Sequence, residues 1–319
     1  MQYGIPYMGN KSKIVSSIAL NFPKATHFYD LFGGGGCVTH YMATRKANRY
    51  QHFHYNEIKQ DVTELFKRAV SGEFSYEKFK MPFVSREEFF AHKDTDPLVR
   101  CLWSFGNSQK TYIFGKHIEH WKRSMHQAIV FDEFDNTAQS VFEFDQWPSN
   151  VNTVTKKRFY LGQKVAWLVK RGKLKVDSKV NSLQQLKDLE QLQQLEQLQQ
   201  LERLQQLEQL EQLQQLERLE QLPNVNVTSV DYRQVKILPD SIVYCDIPYI
   251  GTADYGTEFD HKEFYDWAAT RNFPVYISEY RLDDKRFDTV YSVKKRSMFS
   301  HERSNGKVIK EEKLFWNRQ

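Results

Sequence analysis

The sequence predicts an α/β fold whose core is built from two separated stretches of chain. Three observations carry this. Strand-like and helix-like runs alternate from the start to about residue 75, the alternation lapses, and it resumes after residue 225. At 319 residues the chain is long enough for a substantial core with a second domain set into it.

The elements follow in order. Thr26–Phe32 (THFYDLF) reads as a buried strand ending at Gly33-Gly34-Gly35-Gly36, and Cys37–Asn48 as the helix after it. Tyr50–Tyr55 reads as a second strand, followed by a helix over Lys59–Val70. Residues 76–182 lose the rhythm and are rich in aromatics and cations, which marks a separate segment. Val225–Val230 and Ser241–Cys245 (SIVYC) look like strands, Lys262–Thr270 like a helix and Val275–Ser278 like a further strand.

Between these stretches lies a triplet repeat, residues 183–222, with leucine at every third position and mainly Gln and Glu between. Its residues are good helix formers, and Pro223 stops it. A period of three steps back by about 60° per leucine around an α-helix, so the leucines spiral instead of forming one stripe. A 3₁₀ helix would align them but rarely runs beyond a few residues, and a compact solenoid is a third option. The expectation is a helical insertion, either a surface for self-association or a tolerated tandem expansion.

Composition narrows the function. The chain carries +5 overall, yet the repeat holds three cations against eight anions, so the rest is more basic than that. A basic body with 14% aromatic residues suits a polyanionic partner. No stretch approaches the ~20 apolar residues needed to span a bilayer, and no signal peptide is visible, so no membrane partner is expected. Cys37, Cys101 and Cys245 are far apart with no CxxC pair, which excludes a disulfide framework or a cysteine-rich zinc site and suggests a reducing cytosol. No histidine cluster of the HExxH kind occurs, so no metal is assigned.

Four motifs carry chemistry. Asp30–Gly36 (DLFGGGG) lies between a strand and a helix, where glycines allow a tight turn and close approach of a ligand. Glu57, about 20 residues further on, is placed to accept hydrogen bonds from a ribose diol. The spacing matches neither GxGxxG nor the P-loop, which disfavours NAD and ATP phosphate chemistry. Asp246-Ile247-Pro248-Tyr249 follows SIVYC directly, so its acid and tyrosine sit at the carboxyl end of a strand, where open α/β sheets bind ligands. Pro248 keeps Ile247 out of the helical region, which presents the Ile247 carbonyl. One carboxylate oxygen and that carbonyl together accept both hydrogens of an amino group. Tyr7-Met8-Gly9-Asn10-Lys11 and Asp231-Tyr232 complete the set.

Taken in this order, the motifs resemble those of the Dam-like DNA adenine-N6 methyltransferases. The resemblance covers about residues 1–70 and 225–280, and Trp103–Gly115 more loosely. It implies a Rossmann-like core dependent on S-adenosylmethionine, formed by residues 1–75 and 223–319, with a mainly helical target-recognition domain over 76–182 and the repeat over 183–222 inserted. It also implies a cytoplasmic protein, of a bacterium or of a phage expressed in one, acting on double-stranded DNA. Asp246, Ile247, Pro248 and Tyr249 would be the catalytic group, with Tyr249 stacked on the adenine. Tyr7, Gly9, Lys11, Asp30, Phe32, Gly33, Gly35, Glu57, Asp231 and Tyr232 would line the cofactor site. Ile247 stands where the family commonly has proline; since only the main-chain carbonyl is needed, activity is expected to survive.

Candidate DNA contacts are Lys110, Tyr112, Lys116, Lys122 and Arg123, with Lys156, Lys157, Arg158 and the run Lys170–Lys175 of the same kind. Cys245 reads as a core residue. The competing readings are a methyltransferase acting on RNA adenine and an inactive nucleic-acid-binding scaffold assembled through the repeat.

Overall fold

The computed structural model describes residues 2–75, 79–142, 144–154, 156–157, 159–160, 208–222, 225–249, 259–296 and 309–319. It divides into two compact units, Met1–Glu73 with Gln215–Gln319, and Phe74–Gln214.

The first unit is built on a seven-stranded sheet: β1 His27–Asp30, β2 His52–Asn56, β3 Val225–Thr228, β4 Ser241–Cys245, β5 Val275–Glu279, β6 Asp288–Arg296 and β7 Ile309–Trp316. The order across the sheet is β3-β2-β1-β4-β5-β7-β6. The first five strands run parallel, and β7 is antiparallel to both β5 and β6. This mixed α/β sheet fits the Rossmann-like methyltransferase core that the resemblance implies. Every residue of β4 and β5 is buried, as expected of parallel strands covered on both faces.

The helices of this unit include α1 Val15–Ile18, α2 Cys37–Arg45 and α3 Gln60–Val70. Val62, Leu65, Phe66 and Ala69 recur at helical spacing on α3 and are its buried face. The core on one side of the sheet gathers Tyr29, Leu31, Val243, Cys245, Ile247, Phe264, Val275 and Phe315. Cys245 is thus a core residue.

The second unit has α4 Arg86–His92, α5 Pro97–Leu102, α6 Glu119–His126 and α7 Asn136–Phe142. Ser85 and Glu88 form a reciprocal capping box at α4, and Asp96 caps α5 ahead of its proline. Between α5 and α6, Ser104 and Tyr112 pair in an isolated antiparallel bridge.

Of the leucine repeat, the described part is α8 Glu208–Glu217 and a 3₁₀ turn Arg218–Gln221; residues 183–207 lie outside the described residues, as do Arg158 and Lys170–Lys175. Leu213, Leu216, Leu219 and Leu222 are all buried, and the 3₁₀ turn packs against α3. Tightening from α to 3₁₀ is the local answer to a three-residue period, because side chains at i and i+3 then eclipse. A helix, α9 His261–Ala269, capped by the Asp260 side chain on the Glu263 amide, separates β4 from β5.

Candidate active site

The strand order reverses between β1 and β4, and ligands of open α/β sheets bind outside the carboxyl ends of strands at such a point. In register, Asp30 at the end of β1 lies beside Tyr244 of β4, and the Leu31 amide donates to the Tyr244 carbonyl at 3.0 Å. The glycine turn and Asp246–Tyr249 therefore leave adjacent strands on the same edge of the sheet.

Packing explains much of the glycine run. A Cβ on Gly33 would lie 2.2 Å from the Tyr55 ring, and one on Gly36 the same distance from the Phe66 ring. Gly36 also has φ +71° at the start of α2. Tyr55 donates its hydroxyl to the Gly34 carbonyl at 2.6 Å. Asp30 ties the turn to α2: its Oδ2 accepts from the Thr39 amide at 3.2 Å and the Thr39 hydroxyl at 2.8 Å. Its Oδ1 is buried with no hydrogen-bond partner among the described residues. Burial pushes the Asp30 carboxyl up to about 7, the Thr39 bonds opposing and the negative charges of Asp246 and Glu57 adding.

Glu57 follows β2 and joins the turn to α3. Its Oε2 accepts from the Gly34 amide and its Oε1 from the Lys59 amide, each at 2.9 Å. Burial raises its pKa against the pull of those two amides. The next residue, Ile58, is 61% exposed, an unusual position for a large apolar side chain beside a buried acid.

The N-terminal segment lies along the turn. The Ile5 amide donates to the Gly35 carbonyl at 2.6 Å, and Tyr7 is buried against Gly34 and Gly35. Gly9 (φ +82°) offers its carbonyl to the Lys11 ammonium at 3.4 Å. Lys11 does more than the sequence suggested. Its Nζ lies 2.7 Å from Asp246 Oδ2, 3.4 Å from Glu312 Oε1 and 4.9 Å from the centre of the Tyr249 ring. Burial alone would lower its pKa, but Asp246 and Glu312 hold it well above the ordinary lysine value. Burial likewise raises Asp246, with Lys11 opposing and Glu312 adding.

The rest of the motif is braced. Ile247 is buried, and the Pro248 carbonyl accepts from Nε2 of His261 at 2.7 Å. Tyr249 donates to Glu312 Oε1 at 3.0 Å and meets Tyr280 edge-to-face with ring centres 4.5 Å apart.

Other sequence candidates lie elsewhere in the chemistry. Phe32 and Tyr232 pack on each other with ring centres 5.4 Å apart, and Tyr232 also packs on Phe264 and Trp267. Asp231 caps a 3₁₀ turn and pairs with Arg233 at 2.8 Å. That salt bridge pulls its pKa down through the hydrogen bond from the guanidinium.

In the second unit, Lys110, Lys116 and Arg123 are exposed, with the Arg123 guanidinium 5.1 Å above the Phe83 ring. Tyr112 and Lys122 are buried, unlike the other three. Tyr112 donates to the Val84 carbonyl at 2.6 Å, and Lys122 lies 5.3 Å over Phe114. The cause is helical phase: Lys122 shares a face of α6 with buried Met125 and His126. Lys156 is exposed, while Lys157 is buried and bonds the Ile129 carbonyl at 3.1 Å. Among the described residues no group of three or more His, Cys, Asp or Glu could hold a metal ion, and no helix is long and apolar enough to cross a membrane.

Sequence reasoning missed Thr39, Ile58, His261, Tyr280 and Glu312. Of these, Glu312 left a signal: strand alternation puts it in phase with the core residue Leu314 and out of phase with exposed Glu311. The family model of the D12 class N6 adenine-specific DNA methyltransferases matches residues 7–166, which takes in Tyr7–Lys11, Asp30–Gly36 and Glu57 and stops short of Asp246.

Proposed function

The chain belongs to the D12 class N6 adenine-specific DNA methyltransferase family, and from that premise we propose that it methylates the amino nitrogen of an adenine turned out of double-stranded DNA. The observation that carries the reading is the juxtaposition of Asp246, after β4, with the glycine turn after the neighbouring strand β1.

The residues at the turn fit S-adenosylmethionine. Asp30 Oδ1 is an acceptor for which no donor is found among the described residues. Glu57 retains lone pairs beyond the two engaged by main-chain amides, suited to a ribose diol, and Ile58 offers apolar surface beside it. When bound, the cofactor supplies an electrophilic methyl group on a positively charged sulfur.

The chain's own residues prepare the nucleophile. An adenine amino nitrogen is weakly nucleophilic because its lone pair is delocalised into the ring. Asp246 and the Ile247 carbonyl each accept one N–H and draw the nitrogen toward tetrahedral geometry. Lys11 holds Asp246 ionised against its burial. Asp246 is then the acceptor for the proton that the methylated nitrogen sheds. Lys11 covers one face of the Tyr249 ring, and the adenine stacks on the other. Positioning of this kind contributes several kcal/mol, and fixed charges facing the developing positive nitrogen add to it.

Turning the base out of the duplex costs a few kcal/mol. Phosphate contacts from Lys110, Lys116 and Arg123 of the second unit, which we assign to target recognition, offset it. The test is transfer of labelled methyl from S-adenosylmethionine to an adenine-containing duplex, with Asp246→Ala as control. Transfer that survives the substitution undamaged removes Asp246 from the mechanism; transfer to RNA in preference to the duplex replaces the substrate.

A further inference from the structure

We infer that Glu312 is a positioning residue for the transfer: by sharing the Lys11 ammonium and fixing the Tyr249 hydroxyl, it leaves Asp246 a strong acceptor for the amino group. The inference rests on the proposed reaction and deepens it.

Three parts of the chain meet at this one carboxylate. Glu312 lies 3.4 Å from the Lys11 ammonium and accepts the Tyr249 hydroxyl at 3.0 Å. It is 3% exposed and sits two residues before Leu314, in a strand position where an apolar side chain would satisfy packing. Glutamate is rarely buried unless paired, and the pairing here is with the site.

The charge arithmetic explains the arrangement. One buried ammonium facing one carboxylate would neutralise it and weaken it as an acceptor. With two carboxylates around Lys11 the cluster keeps one surplus negative charge. Asp246 is the more open of the two, with 21% of its side chain accessible against 4% for Glu312. The surplus charge is thereby available where a substrate can meet it, and it complements a positively charged methyl donor. The Tyr249 hydroxyl bond adds orientation, setting the ring against Tyr280.

Among the described residues, the groups facing Asp246 include Lys11, Glu312, Tyr244, Tyr249, Asp30 and Cys245. Glu312 adds to the rise in the Asp246 pKa, so removing its charge lets that pKa fall. A role confined to packing would leave it where it is.

Three variants of the full chain separate charge from shape. Glu312→Gln keeps an oxygen for Tyr249 and removes the charge, Glu312→Leu removes both, and Glu312→Asp keeps the charge with a shorter reach. Single-turnover methyl transfer to an adenine duplex, calorimetric binding of S-adenosylmethionine and ¹³C titration of labelled aspartates, with Asp246→Asn for assignment, are measured on each. For Glu312→Gln we expect cofactor affinity within about twofold and a transfer rate lower by roughly ten- to a hundredfold. The Asp246 titration moves to lower pH. Glu312→Asp retains more activity than Glu312→Gln, and Glu312→Leu less. Unchanged transfer with an unmoved Asp246 titration in Glu312→Gln overturns the inference. Should the unsubstituted protein transfer no methyl to adenine duplexes, the reaction proposed above fails, and the Asp246 titration still decides whether Glu312 sets the charge of the cluster.

Discussion

Thr39 gives both its amide and its hydroxyl to a single oxygen of Asp30, at 3.2 and 2.8 Å, while the other oxygen of that carboxyl is buried without a partner among the described residues. The start of α2 is thus roped to the end of β1, and an unused acceptor is left inside the turn.

A pH dependence of stability follows from this pair. The Asp30 carboxyl titrates near 7 in the folded protein, raised by burial above its ordinary value of 3.8. Its folded state therefore holds the proton more tightly than its unfolded state. The stability contributed is fully present below about pH 4 and is lost as pH rises toward 7, at up to about 1.4 kcal/mol per pH unit. Thermal melts across that window, without cofactor, should show this slope in the unsubstituted protein and a flatter one in Asp30→Asn. Parallel slopes would show that the acid is ionised throughout.

Lys11→Met leaves Asp246 and Glu312 buried without their shared cation. Removing one member of a buried charge cluster costs about 3–5 kcal/mol, so the denaturation midpoint should fall at neutral pH. Asp246 then binds a proton more readily, so the loss should shrink as the solution is acidified. A deficit that is constant with pH would mean that Lys11 acts by packing alone.

Exposure divides the cations of the second unit. Lys110→Ala, Lys116→Ala and Arg123→Ala should each weaken duplex binding and reduce the slope of log affinity against log salt by about 1. Lys122→Ala should lower the melting temperature and leave that slope alone, because its ammonium lies over Phe114. An unchanged slope in all three exposed variants would place the DNA elsewhere.

The end of the leucine repeat belongs to the framework. Leu219→Ala should cost about 2–4 kcal/mol, as truncation of a fully buried leucine does. Gly36→Ala should cost a comparable amount, since its Cβ meets the Phe66 ring at 2.2 Å in a left-handed conformation. Denaturant unfolding checks both, and an effect below about 0.5 kcal/mol contradicts either assignment.

Much of the core was legible because its signals are local. SIVYC is buried and apolar, and β4 occupies Ser241–Cys245 as read; β1, β2, β5 and α3 differ from their expected bounds only at the ends. Strands β6 and β7 went unread because they carry charge: Lys294, Lys295 and Arg296 in one, Glu311 and Glu312 in the other. They are strands by virtue of antiparallel pairing, such as Ser278 with Leu314, which no local pattern records. The same limit applies to the site. Asp30, Glu57 and Asp246 follow strands and could be placed at one sheet edge, whereas the partners of Lys11 come from a distant strand and a distant turn. The burial of Tyr112 and Lys122 was not legible, because residue type does not fix which side of a helix or bridge faces solvent.

Strand β7 follows β6 along the chain yet lies between β6 and β5. During synthesis β5 therefore waits with a bare edge, and β6 emerges with no neighbour to join, until the stretch from Ile309 arrives to seat both. Bare edges invite pairing between chains. A nonsense mutation just ahead of Ile309 would thus couple two failures, clumping of the protein and loss of Glu312 from the Lys11 cluster.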